Sequence, residues 1–333
     1  LVNSTKAIPR LNVPAYNLWS EALHGVANTT GVTVFPQAIG LGATFDAPLV
    51  RRMAQAIALE ARVKFNEAEK AGRTGRLFQG LTFFSPNINI VRDPRWGRGQ
   101  ETYGEDPFLT GKIGVAFITG LQGDDSNHLT AVATAKHYAV HSGPEPDRHT
   151  FDARPTERDL WETYLPAFKD LVQDGKAASV MSAYNRINGE SATASRRFLV
   201  DILRTQWGFD GYVVSDCGAV DDIYMRHKIV PTAAEAAALA VTRGCDLECG
   251  GSFRALKEAL AKGLVREADL DVALVRLFTA RMKLGMFDPP EQVRWARIPY
   301  SVNDAPEHDR LARRVAQSSM VLLKNTGALP LGK

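Results

Sequence analysis

The chain has 333 residues, 45% hydrophobic and 23% charged, an ordinary globular composition that argues against a disordered chain. Its 40 basic and 37 acidic residues give a formal net charge of +3 with no long basic run, so neither nucleic acid nor an anionic membrane is expected as a partner. No stretch approaches the roughly 18 consecutive apolar residues of a membrane span, and three cysteines are too few for a disulfide-built scaffold.

The N-terminus, Leu1-Val2-Asn3-Ser4, matches neither a signal peptide nor a natural start, and the chain is read as a piece of a longer protein. The first clear helix opens at Asp46, a good N-cap with Pro48 close behind, and carries Leu49, Val50, Met53 and Ile57 at helical spacing. A strand-like run follows at Leu81-Thr82-Phe83-Phe84. Asp106-Pro107 opens the next helix, with Phe108, Leu109, Ile113 and Phe117 expected inward and Gly123 ending it. After the apolar run Ala131–Thr134, the residues Leu160, Trp161, Tyr164, Leu165, Phe168 and Leu171 trace one face between Pro155 and Asp174. Next come the run Ala178–Met181 and a helix capped by Ser195, carrying Phe198, Leu199, Ile202, Leu203 and Trp207 and stopped at Gly208. The run Gly211–Val214 precedes helices expected near 232–242, 253–262 and 267–284. Val321-Leu322-Leu323-Lys324-Asn325 reads as a last short strand.

Short apolar strands alternating with amphipathic helices predict a parallel α/β fold, and near-continuous apolar runs fit strands covered on both faces. Each run ends in a polar cluster: Asn87 with Arg92-Asp93, Lys136-His137, Tyr184-Asn185-Arg186, and Ser215-Asp216. Strand ends that converge in this way predict a (β/α)8 TIM-barrel-like domain over 1–320, with catalytic groups at one mouth. An open doubly wound sheet is the alternative, but no G-x-G-x-x-G follows a strand. Cys245 and Cys249 lack the further ligands that a zinc site needs, so no metal is expected.

The run Arg92-Asp93-Pro94-Arg95-Trp96-Gly97-Arg98, followed by Glu101, Tyr103 and Glu105-Asp106-Pro107, resembles glycoside hydrolase family 3. So do Ala135-Lys136-His137-Tyr138, Met181-Ser182-Ala183-Tyr184-Asn185 with Asn188-Gly189, and Gly208-Phe209 leading to Ser215-Asp216. The resemblance implies a retaining β-glycosidase with Asp216 as nucleophile, a position that a helix N-cap would also explain. Nearby cations are expected to hold the pKa of Asp216 low. Arg98, Lys136 and His137 correspond to the family's sugar-hydroxyl ligands; without it, a surface ion pair of Arg98 and a solvated strand end would serve as well. Neighbouring strand residues point to opposite faces, so a Lys136-His137 pair that both enter the pocket predicts irregular or cis backbone near 136–138. Tyr184 matches the tyrosine beside the nucleophile, and Met181 is placed either beside the sugar or in the core.

Trp19-Ser20-Glu21-Ala22-Leu23-His24-Gly25 resembles the β-xylosidase branch, in which the longer Glu21 would crowd a hexose C6 hydroxymethyl. Ser215-Asp216-Cys217-Gly218 points the same way, and the branch pairs such a cysteine with one matching Cys249, a bridge that implies a secreted or periplasmic protein. Two buried thiols are the other reading. The implied activity is exo-acting release of β-D-xylose from the non-reducing end of xylo-oligosaccharides, without a cofactor. Alternatives are a β-glucosidase, a bifunctional β-xylosidase/α-L-arabinofuranosidase, a β-N-acetylhexosaminidase using His141 or His149, and a silent glycan-binding relative. The resemblance further implies that residues 321–333 lead to a second α/β sandwich domain supplying the general acid/base Glu.

Overall fold

In the computed structural model, which describes residues 1–332, the strands are β1 (Ser4–Thr5), β2 (Tyr16–Asn17), β3 (Thr82–Phe83), β4 (Val132–Tyr138), β5 (Asp152–Ala153), β6 (Ser179–Ser182), β7 (Arg186–Ile187), β8 (Glu190–Ser191) and β9 (Tyr212–Ser215). The α-helices are α1 (Ala38–Ala43), α2 (Ala47–Lys70), α3 (Pro107–Gln122), α4 (Glu157–Asp159), α5 (Pro166–Gln173), α6 (Ala219–Met225), α7 (Ala233–Thr242), α8 (Leu256–Ala261), α9 (Glu267–Lys283) and α10 (Pro306–Ser319).

β3, β4, β6 and β9 form one parallel sheet in that order. Single bridges carry the pairing round: Val214 to Leu247, Glu248 to Val2, and Ser20 to Phe83, all parallel. β1 and β2 pair antiparallel and close the ring, with Ser4 opposite Asn17. The architecture is therefore TIM-barrel-like, but among the described residues the ring is not eight regular β/α units. A parallel connection needs a crossover of about a dozen residues or more, and only residues 6–15 separate β1 from β2.

Alternate strand residues explain the continuous apolar runs. Val132, Met181, Tyr212, Val214 and Leu247 belong to an interior cluster that also takes Leu277, Ala280 and Leu284 from α9 and its end. Ala133, Val180 and Val213 pack instead into the layer shared with the helices. Tyr212 and Val214 thus set the face on which Asp216 emerges.

The caps act as expected. Asp46 Oδ1 accepts from Leu49 N–H at 2.9 Å, and Asp106 Oδ1 from Leu109 N–H at 2.7 Å. Gly123 ends α3 at φ +80°, where a Cβ would meet Thr130 Oγ1 at 2.2 Å. Phe108 departs from expectation: in the first turn of α3 it is 68% exposed beneath Lys112 Nζ, 5.2 Å from the ring centroid. Trp161 also faces outward. A π-helical turn spans Leu160–Tyr164, with Leu165 N–H bonded to Leu160 O at 2.9 Å. Pro166, lacking an N–H, cannot donate to Glu162 O, and the widened turn rotates the face that the sequence spacing had projected. A second π-helix, Arg197–Gln206, carries the face expected after Ser195. Residues 321–325 form no strand; Val321, Leu322 and Leu323 are exposed.

Candidate active site

Asp216 follows β9 on its interior-facing register and is 6% exposed. Its Oδ1 accepts from Cys217 N–H at 2.8 Å, while Oδ2 has no hydrogen-bond partner among the described residues. Burial pushes the carboxyl upward in pKa, outweighing the opposing pull of Arg98, the Cys217 N–H, Lys136 and Tyr184. The expectation that neighbouring cations would hold it low is therefore corrected: they are present, but desolvation is larger.

Lys136 emerges from β4 in the same parity as Val132, on the interior face. The Lys136–His137 peptide is cis, as is Tyr138–Ala139, and both Lys136 and His137 enter the polar cluster at the mouth. The irregular backbone expected there is present. Lys136 Nζ lies 3.0 Å from Glu21 Oε2. His137 Nδ1 contacts Asn89 Oδ1 at 3.0 Å, and its Nε2 contacts Arg98 Nη1 at 3.0 Å. Asn89 Nδ2 donates to His137 O at 2.9 Å, which assigns its Oδ1 as the acceptor and puts the imidazole proton on Nδ1. Burial first, then Arg98 and His141, holds His137 well below the ordinary imidazole range, so the ring is neutral. Its Nε2 stands 3.5 Å from Asp216 Oδ2, with no proton to give it.

Arg98 grips Glu101 through two parallel bonds, Nε to Oε1 at 2.9 Å and Nη2 to Oε2 at 2.7 Å. This is one of the ion pairs foreseen for Arg98, yet the pair lies within the cluster rather than on open surface: Arg98 also reaches His137. Glu21, Arg98, Glu101 and Lys136 share the wall of a cavity of about 490 Å³ that extends over Val26, Val32 and Val34. A cavity of about 510 Å³ lies at the other end of the strands, beside Leu129, Ala178 and Gly211, away from this chemistry.

Tyr184 donates its hydroxyl to Cys217 O at 2.9 Å, and burial followed by the Asp216 charge pushes its phenol up. Met181 is buried in the interior apolar cluster and does not line the cavity. Cys217 and Cys249 are joined by a disulfide with Cα atoms 4.3 Å apart, so Cys249 is unavailable to any Cys245 metal pair. The bridge ties the loop after β9 to the segment after Leu247. His149 pairs with Asp222 at 2.7 Å and packs edge-on against Tyr184, while His141 Nδ1 lies 3.3 Å from Asn185 Oδ1. Burial lowers the pKa of His141 to about 3. Donor atoms of His137, His141 and Asp216 fall within 4.8 Å of one another, but Arg98 already occupies His137 Nε2, and a cation there would face a guanidinium.

Asn89, Trp19 and Arg148 were not singled out from sequence. Asn89 lies beyond β3, where its N–H turns back onto Asn87 Oδ1 at 3.0 Å, so no strand period pointed to it. Trp19 donates its indole N–H to Glu21 Oε1 at 3.1 Å. Arg148 pairs with Glu145 and adds positive field at His137, His141 and Tyr184; only the folded loop reveals that proximity.

Residues 3–280 match the family model described as the glycosyl hydrolase family 3 N terminal domain. The chain belongs to glycoside hydrolase family 3. It is 44% identical over its whole length to a xylan 1,4-beta-xylosidase of Xylanibacter ruminicola, of which it covers 39%. Among solved structures, a family 3 exo-beta-xylosidase in complex with a xylobiose aziridine activity-based probe is similar over 100% of this chain and 44% of its own, with 35% identity and a TM-score of 0.91. A beta-glucosidase from Listeria innocua in complex with glucose has 33% identity and a TM-score of 0.81, over 97% of this chain and 42% of its own. The chain thus spans about two fifths of the length of these family 3 relatives.

Proposed function

We propose that this chain is the catalytic barrel of a retaining, exo-acting β-glycosidase that releases β-D-xylose from the non-reducing end of xylo-oligosaccharides. The observation that carries this is Asp216: a buried carboxylate at an interior-facing strand end, one oxygen unpartnered, with Arg98 and Lys136 close enough to act on its charge. Asp216 attacks the anomeric carbon as the glycosidic bond breaks, and the leaving oxygen takes a proton from a general acid. Water then cleaves the glycosyl-Asp216 ester, the same acid/base group receiving its proton, and xylose leaves with retained configuration. Arg98, Lys136 and His137 hold the sugar hydroxyls, and Tyr184 orients the loop of the nucleophile through Cys217 O. The acid/base is a Glu of a second α/β domain beyond residue 320. The Cys217–Cys249 bridge supports a secreted or periplasmic location, where disulfides persist.

The similarity to the xylan 1,4-beta-xylosidase and the exo-beta-xylosidase supports xylose as the sugar. The Listeria innocua beta-glucosidase supports a second reading, a β-glucosidase with a roomier pocket. Following the complete protein on xylobiose and cellobiose by proton NMR separates them. Faster cleavage of xylobiose with β-xylose as the first anomer fits the proposal; preferential cleavage of cellobiose supports the second reading, and α-xylose first would refute retention.

A further inference from the structure

Glu21 is held at both carboxylate oxygens by the protein itself. Oε2 meets Lys136 Nζ at 3.0 Å, and Oε1 accepts the Trp19 indole N–H at 3.1 Å. The indole is itself immobilised. It stacks on Phe84 with ring centroids 6.1 Å apart and planes at 20°, and Phe78 meets it edge-on at 5.7 Å and 75°. Its backbone is pinned on both sides: Trp19 N–H donates to Asn17 Oδ1 at 3.0 Å, and Trp19 O accepts from Phe78 N–H at 3.2 Å. Phe84 belongs to the interior apolar cluster, against which Trp19 packs.

A glutamate held by one oxygen can still swing about its last torsion. Holding the second oxygen with a rigid donor removes that freedom. Indole N–H is a donor only, so it cannot exchange roles with the carboxylate. We propose that Trp19 is the positioning residue for sugar size, its N–H locking Glu21 so that the carboxylate cannot turn aside for a hexose C6 hydroxymethyl. The inference rests on Glu21 being the size-limiting wall of the proposed xylose pocket. Lys136 supplies charge to Glu21, whereas Trp19 supplies direction, and the aromatic pair behind it transmits the rigidity of the barrel interior to the pocket wall.

The test uses Trp19→Phe in the complete protein, which keeps a ring for Phe84 but removes the donor. Inactivation constants are measured with 2-deoxy-2-fluoro-xylosyl and -glucosyl probes bearing the same good leaving group. The xylosyl-to-glucosyl ratio is expected to fall about tenfold, the scale on which pockets discriminate one added carbon group. The change should lie mainly in faster glucosyl inactivation through tighter probe binding, with little change in the maximal rate. Phe84→Leu, which keeps the N–H and loosens its backing, should lower the ratio less and in the same direction; it decides the matter if Trp19→Phe does not fold. An unchanged ratio in a folded Trp19→Phe protein, or in Phe84→Leu where that variant decides, overturns the inference and leaves the xylosidase reading intact. Wild-type protein labelled by neither probe refutes the proposed function instead, and wild-type protein labelled equally by both refutes the role of Glu21.

Discussion

At Asp216, two opposing effects meet on one carboxylate. Burial raises its pKa, and Arg98 and Lys136 pull it down without cancelling the rise. In the proposed role as nucleophile Asp216 must be ionised, so activity is expected to be lost as pH falls through the raised value, with the acid limb at higher pH than for an ordinary aspartate. Removing a cation weakens the downward pull. Arg98→Gln is therefore expected to move the acid limb of kcat/KM to still higher pH. It should also lower the optimum by about 10- to 100-fold, the size of one or two charge-assisted hydrogen bonds. A pH–rate profile on an aryl xyloside checks both; an acid limb moving to lower pH would contradict the assignment. The direction of this balance could not be read from the sequence. Their position where apolar strand runs end in polar residues placed Asp216 and Lys136 at the mouth, because that pattern survives in any local window. Desolvation depends on what the rest of the fold places around the carboxylate, so counting nearby cations gave the wrong sign.

Among the elements, α2 shows both what local signals settle and what they cannot. Asp46, Pro48 and the apolar spacing announced it, as Asp106-Pro107 announced α3. Phe108 was misplaced because 3.6-residue spacing puts it on the outward face of Lys112, four residues on, rather than with Leu109, Ile113 and Phe117, and Trp161 because a π-turn breaks that spacing. Glu60, within α2, was invisible as a pivot. It is fully buried, and it accepts from Thr33 N–H at 2.9 Å, Thr33 Oγ1 at 2.7 Å, Asp304 N–H at 3.0 Å and His308 Nδ1 at 2.7 Å. It thereby joins the loop beside the cavity wall at Val32 and Val34 to the start of α10. Burial raises its pKa, but the bonds from His308, Thr33 and Asp304 outweigh this, and the net shift is downward. A depressed folded-state pKa means that the contribution is present above the unfolded value and lost as pH falls through the folded one. Glu60→Gln should lower stability by about 1–3 kcal/mol at neutral pH, the range for leaving buried donors without their acceptor. It should also flatten the acid side of the Tm-against-pH curve. An unaltered acid slope in the variant would show that Glu60 does not carry it.

Across the whole molecule, the barrel brings residues as distant as Glu21 and Asp216 to one end, and the Cys217–Cys249 bridge fastens the loop after Asp216 to the next strand segment. The sequence made the barrel legible through repeated apolar runs with polar ends. It did not reveal the antiparallel closure by β1 and β2, because two-residue strands leave no periodicity to read. The bridge itself was legible only through family resemblance. Replacing both of its cysteines by serine should cost about 4 kcal/mol, given a separation of 32 residues. It should also slow reaction at Asp216; thermal melting together with inactivation rates checks this, and unchanged values for both would make the bridge dispensable.

Whether Asp216 forms the proposed covalent glycosyl intermediate is read most directly by peptide mass mapping after the complete protein is treated with a 2-deoxy-2-fluoro-xylosyl inactivator. One fluoroxylosyl adduct is expected on Asp216, absent from an Asp216→Asn variant. An adduct on a different carboxylate, or none on folded protein that still hydrolyses xylobiose, would contradict it.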